Sequence, residues 1–266
     1  MPELPEVECW GRRVAERVCV GRTIDSAFVA NDNIVFAGVK PRAFARAVKG
    51  RHVLAAHRKG KQLWLELDRG PHPLLHFGMT GHLAAYTDPD DRPRFTKVEF
   101  TLDNGTKLAM PNPRRFGRIR LLDDPLSQPP LSKLGFDPYL EMLPPGPFIE
   151  QVQRRKTPIK ALLLNQSFAA GVGNWIADEV LYQAKVAPRR QASGLSDAEA
   201  RHIRTKLTAI LNKAIEVDAN KKRFPRTWLF HDRWGKTQGA TTRKGEAIVF
   251  DEVAGRTTAW VPTRQV

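Results

Sequence analysis

Apolar positions along this chain follow two different periods. After Pro5, the residues Val7, Trp10 or Gly11, Val14 and Val18 fall near one helical face. Proline suits the first turn of a helix, where its missing N–H is not needed. The same start signal recurs at Pro41, ahead of a short helix to about Val48. Between and beyond these helices the chain reads as short strands: Val53–His57, Gln62–Leu67, Leu74–Phe77, Thr96–Leu102, Lys107–Met110 and Ile119–Leu122. Turn pairs such as Arg69-Gly70 and Asn104-Gly105 separate several of them. Short strands at this spacing predict an antiparallel sandwich, not a parallel sheet.

The segment Asp123–Pro147 changes character. Pro125, Pro129, Pro130, Pro138, Pro144, Pro145 and Pro147 crowd it, which reads as a passage between domains. Helical periodicity then returns over Phe148–Arg155, Pro158–Leu164 and Trp175–Ala184. The helix with the strongest start signal follows. Leu195 is placed as a staple, Ser196 as N-cap and Glu199 as its third-position partner. Ile203, Leu207, Ile210, Leu211 and Ala214 supply its buried stripe. After about Lys222 short strands return, ending in Ala247–Phe250 and Thr257–Val261, and no internal repeat is visible.

Composition narrows the partners. Lysine and arginine number 43 against 28 acidic residues, a formal charge of +15, with a pI near 10.2. Such an excess suits a polyanion and salt-dependent binding. A basic RNA- or ribosome-associated protein would share that composition. No apolar run is long enough to span a bilayer, and no signal-peptide pattern precedes the first acidic residues, so neither a membrane partner nor secretion is expected. Cys9 and Cys19 read as buried or semi-buried thiols of a reducing compartment, and two cysteines cannot build a four-thiolate zinc site.

Three places carry candidate chemistry. The chain opens Met1-Pro2-Glu3-Leu4-Pro5-Glu6-Val7-Glu8. Removal of Met1 would leave Pro2 as a terminal secondary amine able to attack a sugar carbon and hold it as an iminium, with Glu3 beside it to move protons. The competing reading is an ordinary Met-Pro start. Gly171-Val172-Gly173-Asn174 precedes the Trp175 helix; Asn174 is expected to cap it while backbone donors face a phosphate, with Lys160 adding a cation. An ordinary capped turn and a solvated lysine are the alternatives. Gly255-Arg256-Thr257-Thr258 lies at the last bend, where an arginine either enters a groove and bridges phosphates or merely solubilises the turn.

Taken together, these blocks resemble the Fpg/Nei family of DNA glycosylase/AP lyases, formamidopyrimidine-DNA glycosylase and endonuclease VIII. The resemblance runs from the Pro2–Glu8 block through Lys59-Gly60-Lys61, His76-Phe77-Gly78-Met79-Thr80-Gly81 and Pro113-Arg114-Arg115-Phe116-Gly117. It continues through Gly171–Glu179 to Gly255-Arg256-Thr257-Thr258, and it looks most like the plant and fungal formamidopyrimidine branch. It implies an α+β fold: an N-terminal antiparallel β-sandwich flanked by helices, and a C-terminal helix-two-turns-helix domain ending in a β-hairpin. The corresponding boundaries are 1–135 for the catalytic sandwich, 136–147 for the linker, 148–222 for the helical DNA-binding domain and 223–266 for the finger. DNA would lie in the cleft between the domains.

The resemblance also implies roles. Pro2 is the nucleophile at C1′, Glu3 the proton donor to the opening sugar, and Lys61 a lysine contacting phosphate near the lesion. His76, Lys160, Asn174 and Arg256 are implied DNA contacts, although His76 also reads as a structural histidine. Met79, Arg114 and Phe116 match the positions that fill the gap left by an everted nucleotide; without the resemblance, Met79 and Phe116 read as core. Glu6 and Glu179 are implied to support the pocket, against a plain reading as helix-surface carboxylates.

Two departures matter. Many relatives hold the hairpin with four thiolates around zinc, but Val261 and Arg264 stand at the last pair of ligand positions and Arg233–Ile248 holds no cysteine. The segment therefore resembles a zincless finger, packed by Trp228, Phe230, Val249, Phe250 and Trp260, with no metal and no cofactor. Secondly, only Val217–Arg226 links the last helix to the finger. That short link favours formamidopyrimidines, hydantoins and abasic sites over 8-oxoguanine. The expected protein is a monomeric base-excision-repair enzyme acting on damaged duplex DNA, in the nucleus of a eukaryote or the cytoplasm and nucleoid of a bacterium. A catalytically silent damaged-DNA binder is the alternative.

Overall fold

The computed structural model describes residues 2–235, 237 and 239–266. The chain divides into two compact units, Met1–Lys133 and Leu134–Val266. The Pro-rich stretch expected to be a linker over 136–147 carries structure of its own within the second unit. Phe136 bridges to Ala169, its ring packs edge-on against Phe148 and Phe168, and the buried Asp137 carboxylate accepts the Tyr139 and Leu140 N–H groups.

The first unit opens with a helical run made of α1 (Leu4–Val7), a π-type turn over Glu8–Arg12 and α2 (Arg13–Cys19). The turn widens where Gly11 presses on the core. A Cβ there would lie 2.9 Å from the Phe77 ring, so the close approach requires glycine. Strand β1 (Ile24–Val29) and helix α3 (Pro41–Val48) follow, then β2 (Val53–Lys59), β3 (Gln62–Leu67), β4 (His72–His76), β5 (Ala84–Tyr86), β6 (Thr96–Leu102), β7 (Lys107–Pro111) and β8 (Arg118–Leu122).

These strands form two four-stranded sheets, ordered β1-β6-β7-β5 and β2-β3-β4-β8. Every pairing is antiparallel. The expected strands are present with end shifts of up to two residues, whereas β1 and β5 are additional. Both are edge strands: β1 is mostly solvated and β5 has only three residues, so neither carries a strong apolar alternation. One apolar core draws Leu63, Leu65 and Leu75 from one sheet, Val98, Phe100 and Leu108 from the other, and Phe44 from α3. Each such fully buried side chain contributes about 1.5–3 kcal/mol.

The second unit contains α4 (Pro145–Gln153), α5 (Ile159–Leu164), α6 (Asn174–Ala184), α7 (Asp197–Glu216) and the antiparallel hairpin β9 (Val249–Val253) and β10 (Arg256–Trp260). The capping box expected at α7 is present: Ser196 Oγ accepts the Glu199 N–H, and the Glu199 carboxylate accepts the Ser196 N–H at 2.8 Å. The hairpin turns at Ala254 and Gly255, both in the left-handed region. Among the described residues, no helix is long and apolar enough to cross a membrane.

Candidate functional site

In the first unit the amino-terminal residues are enclosed. Pro2, Glu3 and Glu6 are all buried; Met1 lies outside the described residues. Glu6 is therefore no helix-surface carboxylate: its Oε2 accepts the Glu3 N–H at 3.1 Å. That bond fixes the backbone joining Pro2 to the helix.

A second buried carboxylate ties this segment to Lys61. Glu8 Oε2 meets Arg58 Nε at 2.8 Å, with both side chains withdrawn from solvent. The same guanidinium donates to the Gly60 carbonyl at 3.0 Å. The β2–β3 turn that carries Lys61 is thereby anchored to the first helical run. Adjacent on this sheet, His76 pairs with Gln62 on one side and Arg118 on the other. Burial pushes the His76 imidazole down to about 4, and Lys61, Arg118 and Arg120 push it the same way. His76 is thus neutral at pH 7 within a cluster of cations, a setting suited to an anion.

Met79, Arg114 and Phe116 belong to two loops clipped together by a buried asparagine. Asn112 Nδ2 donates to the Phe77 carbonyl at 2.8 Å, and Asn112 Oδ1 accepts the Gly117 N–H at 3.0 Å. Gly78 permits the contact: its φ is +63°, and a Cβ would lie 2.4 Å from the Phe116 carbonyl carbon. Met79 is 39% exposed and Phe116 50%, so neither is core. The Arg114 guanidinium lies 5.3 Å from the Phe116 ring centre. A thioether, an aromatic ring and a guanidinium held at the surface by rigid turns can enter a base stack.

The second unit holds the helical and hairpin residues. Asn174 does not cap α6. Gly173 is the N-cap, and Asn174 Nδ2 instead donates to the Thr257 carbonyl at 2.8 Å. Lys160 is neither solvated nor displayed for a phosphate. It is fully buried; its ammonium donates to Thr257 O at 3.1 Å and Thr258 Oγ1 at 2.7 Å, and sits 2.6 Å from Asp178 Oδ1. Two hydrogen bonds and one ion pair thus surround the ammonium. Both residues grip the hairpin just beyond Arg256, which is exposed at the start of β10.

Glu179 is buried too. Its Oε2 accepts the Phe230 N–H and its Oε1 the Gln183 amide, each at 2.8 Å. Burial pushes its carboxyl up to about 7 against those bonds.

A structural zinc does not fit the finger. Val261 sits in the apolar cluster of Tyr182, Leu229, Ile248 and Ala259. Arg264 lies over the Tyr182 ring and pairs with Glu246 at 3.3 Å. Among the described residues no cluster of metal-ligating side chains occurs. Aromatic packing is present as expected for Trp228 and Phe230, which join Trp175 and Phe224. Val249 is a correction: it is 40% exposed, and Ile248 provides the apolar contact in its place. Sequence reasoning assigned nothing to Asp32, Asn112, Arg118 or Asp178. Asn112 and Asp178 adjoin or lie within quoted blocks; Asp32 is far from its partners in sequence and gives no local signal.

Known proteins resemble this chain in both sequence and fold. Residues 1–119 match the formamidopyrimidine-DNA glycosylase N-terminal domain, and residues 134–225 match its H2TH domain. The chain is 41% identical over 278 residues to a formamidopyrimidine-DNA glycosylase of Arabidopsis thaliana, covering all of this chain and 71% of that protein. It is 33% identical over 283 residues to the enzyme of that name from Heliobacterium modesticaldum, across the whole of both. Among solved structures, Lactococcus lactis formamidopyrimidine-DNA glycosylase bound non-covalently to AP-site DNA superposes with a TM-score of 0.86 at 28% identity, over 99% of both chains. The Lactococcus lactis enzyme with Fapy-dG-containing DNA gives 0.85 at 27%.

Proposed function

The chain belongs to the formamidopyrimidine-DNA glycosylase family, and on that premise we propose that it removes oxidised bases from duplex DNA and nicks the strand at the resulting site. The reading rests above all on the buried Pro2-Glu3 pair, whose backbone is held by Glu6. With Met1 removed, the Pro2 amine attacks C1′ as the bond to the damaged base breaks, giving an iminium. Glu3 protonates O4′ as the ring opens. Loss of a proton from C2′ expels the 3′ phosphate, and a second elimination expels the 5′ phosphate. None of these steps calls for a metal.

Lys61, His76 and Arg256 serve as phosphate contacts, with Asn174 and Lys160 setting the hairpin from which Arg256 reaches. Met79, Arg114 and Phe116 fill the vacated stack. Glu6 positions the terminus, and Glu179 holds the finger through Phe230. The protein works as a monomer where the cell keeps its DNA: the nucleus of a eukaryote, or the cytoplasm and nucleoid of a bacterium.

Borohydride trapping on a duplex bearing an abasic site tests the reading. One covalent adduct is expected, mapped by mass to Pro2, and Pro2→Gly should abolish it while leaving DNA binding largely intact. Binding without any trapped adduct would identify a silent damaged-DNA binder. An adduct on Lys61 alone would move the nucleophile.

A further inference from the structure

We propose that Asp178 is the positioning residue that crosslinks this finger to the helices and sets the hairpin arginine, Arg256, for its phosphate. The inference deepens the DNA-lyase reading and rests on it. Asp178 lies in the middle of α6 and is fully buried. Its Oδ1 is 2.6 Å from Lys160 Nζ on α5. Its Oδ2 accepts from Arg233 Nη2 at 2.6 Å and Nε at 3.2 Å, and from the Ala259 N–H of β10 at 3.2 Å. One carboxylate therefore joins two helices, the turn containing Arg233, and the hairpin.

The geometry points at Arg256 in particular. Asn174 and Asp178 are one turn apart on the same face of α6. Asn174 holds the Thr257 carbonyl and Asp178 the Ala259 N–H. Between them, Thr258 Oγ1 receives the Lys160 ammonium. Three consecutive residues of β10 are thus fixed, and the next residue towards the turn is Arg256. Beyond Ala259 the strand end packs into an apolar cluster through Val261 and Ile248, and the Val261 N–H donates to Gln265 Oε1 at 2.8 Å.

Charge explains why a neutral side chain would not serve. Lys160 and Arg233 are both withdrawn from water, with side-chain exposures of 0% and 4%. Asp178 is the carboxylate that both contact. An amide in its place would leave two buried cations side by side, and one of them would have to leave or lose its proton. Either response frees the Thr257–Ala259 segment.

The test uses the full-length protein, Asp178→Asn and Arg233→Met, each alone and combined with Arg256→Ala. Hydrogen exchange without DNA reads the hub directly: the amides of residues 257–260 should exchange faster in both variants, while those of α7 keep their protection. With duplex DNA bearing a stable abasic analogue, the slope of log affinity against log salt should fall by about one unit in Asp178→Asn, the loss of one phosphate contact. It should fall no further when Arg256→Ala is added. A role in stability alone would lower the melting temperature with slope unchanged, and its cost would add to that of Arg256→Ala; that result overturns the proposal. If Asp178→Asn does not fold, Arg233→Met decides by the same slope and the same double variant, because it leaves the Lys160–Asp178 pair neutral. Absence of any trapped adduct in the unsubstituted protein would sink the lyase reading instead, and the exchange data would still report on the hub.

Discussion

Asp32 holds Arg115 with two hydrogen bonds, 2.9 Å from Nε and 3.0 Å from Nη2. Arg115 stands between Arg114 and Phe116 and has a φ of 57°, a conformation that side-chain-bearing residues seldom adopt. The ion pair offsets that strain and so shapes the loop displaying its neighbours. Burial alone would raise the Asp32 carboxyl, but hydrogen bonds from Arg115, Lys97 and the Val35 N–H outweigh it and hold it well below the usual carboxylate range. Asp32→Ala should cost about 1–3 kcal/mol in stability, seen as a lower Tm. Excision of a base-paired lesion should slow more than cleavage of a preformed abasic site, because the wedge matters most where bases must be unstacked. The Asp32 contribution is present above its unfolded pKa and is lost as pH falls below about 4 towards the depressed folded value.

Glu179 predicts the opposite slope. Its folded carboxyl titrates near 7, above the unfolded range of about 4.3. Between these values the folded state holds a proton that the unfolded state has released, so stability falls as pH rises through the window. The loss is on the order of 3 kcal/mol by pH 7.5. Glu179→Gln cannot titrate. Melting curves from pH 4.5 to 7.5 should therefore show the unsubstituted protein losing stability relative to Glu179→Gln. Parallel curves would contradict the raised carboxyl.

Metal independence is the third expectation. Both cysteines lie in the first unit, and burial pushes the Cys19 thiol up to about 12, far from the thiolate a metal requires. Elemental analysis of protein purified without added metal should show no stoichiometric zinc, and EDTA should leave incision intact. One tightly bound equivalent, with activity lost on its removal, would overturn the zincless assignment.

How much of this was legible in the sequence depends on the range of the interaction. The Ser196–Glu199 capping box and the strand Gln62–Leu67 are local patterns, and they stand in the structure as read. Strand β5 was missed because three residues at an edge carry little periodicity. At the site, the blocks containing Pro2, Lys61 and Phe116 stood out, and so did Glu6 beside Pro2, yet the distant residues that hold the other two did not. Asp32 reaches Arg115 across 83 positions and Arg58 reaches Glu8 across 50. Only tertiary folding brings such partners together. Lys160 shows the same limit: an isolated lysine on a helix reads as a solvated cation, and its burial depends on Asp178 and a hairpin 98 residues away.

The last expectation concerns lesion choice. Arg114 lies against the exposed Phe116 ring on a loop clipped by Asn112, and its proposed role is to hydrogen-bond the base left unpaired. Arg114→Ala should therefore cost more on a paired lesion than on an abasic site, where unstacking is cheaper. Enclosure of the everted base is a separate matter. After α7 ends at Glu216, the chain turns sharply at Asp218 and Ala219, both with positive φ, and reaches Trp228 through one short helical turn, Lys221–Arg223. Ala219 and Phe224 are buried, which leaves little free chain to fold over a large purine. Formamidopyrimidine and hydantoin lesions should consequently be excised faster than 8-oxoguanine opposite cytosine. Single-turnover excision on matched duplexes is the measurement. If 8-oxoguanine proves fastest by roughly tenfold or more, about 1.4 kcal/mol in the barrier, enclosure by this link does not govern lesion choice. The Pro2 chemistry would be untouched by that outcome, since it depends on the terminus and not on the base that leaves.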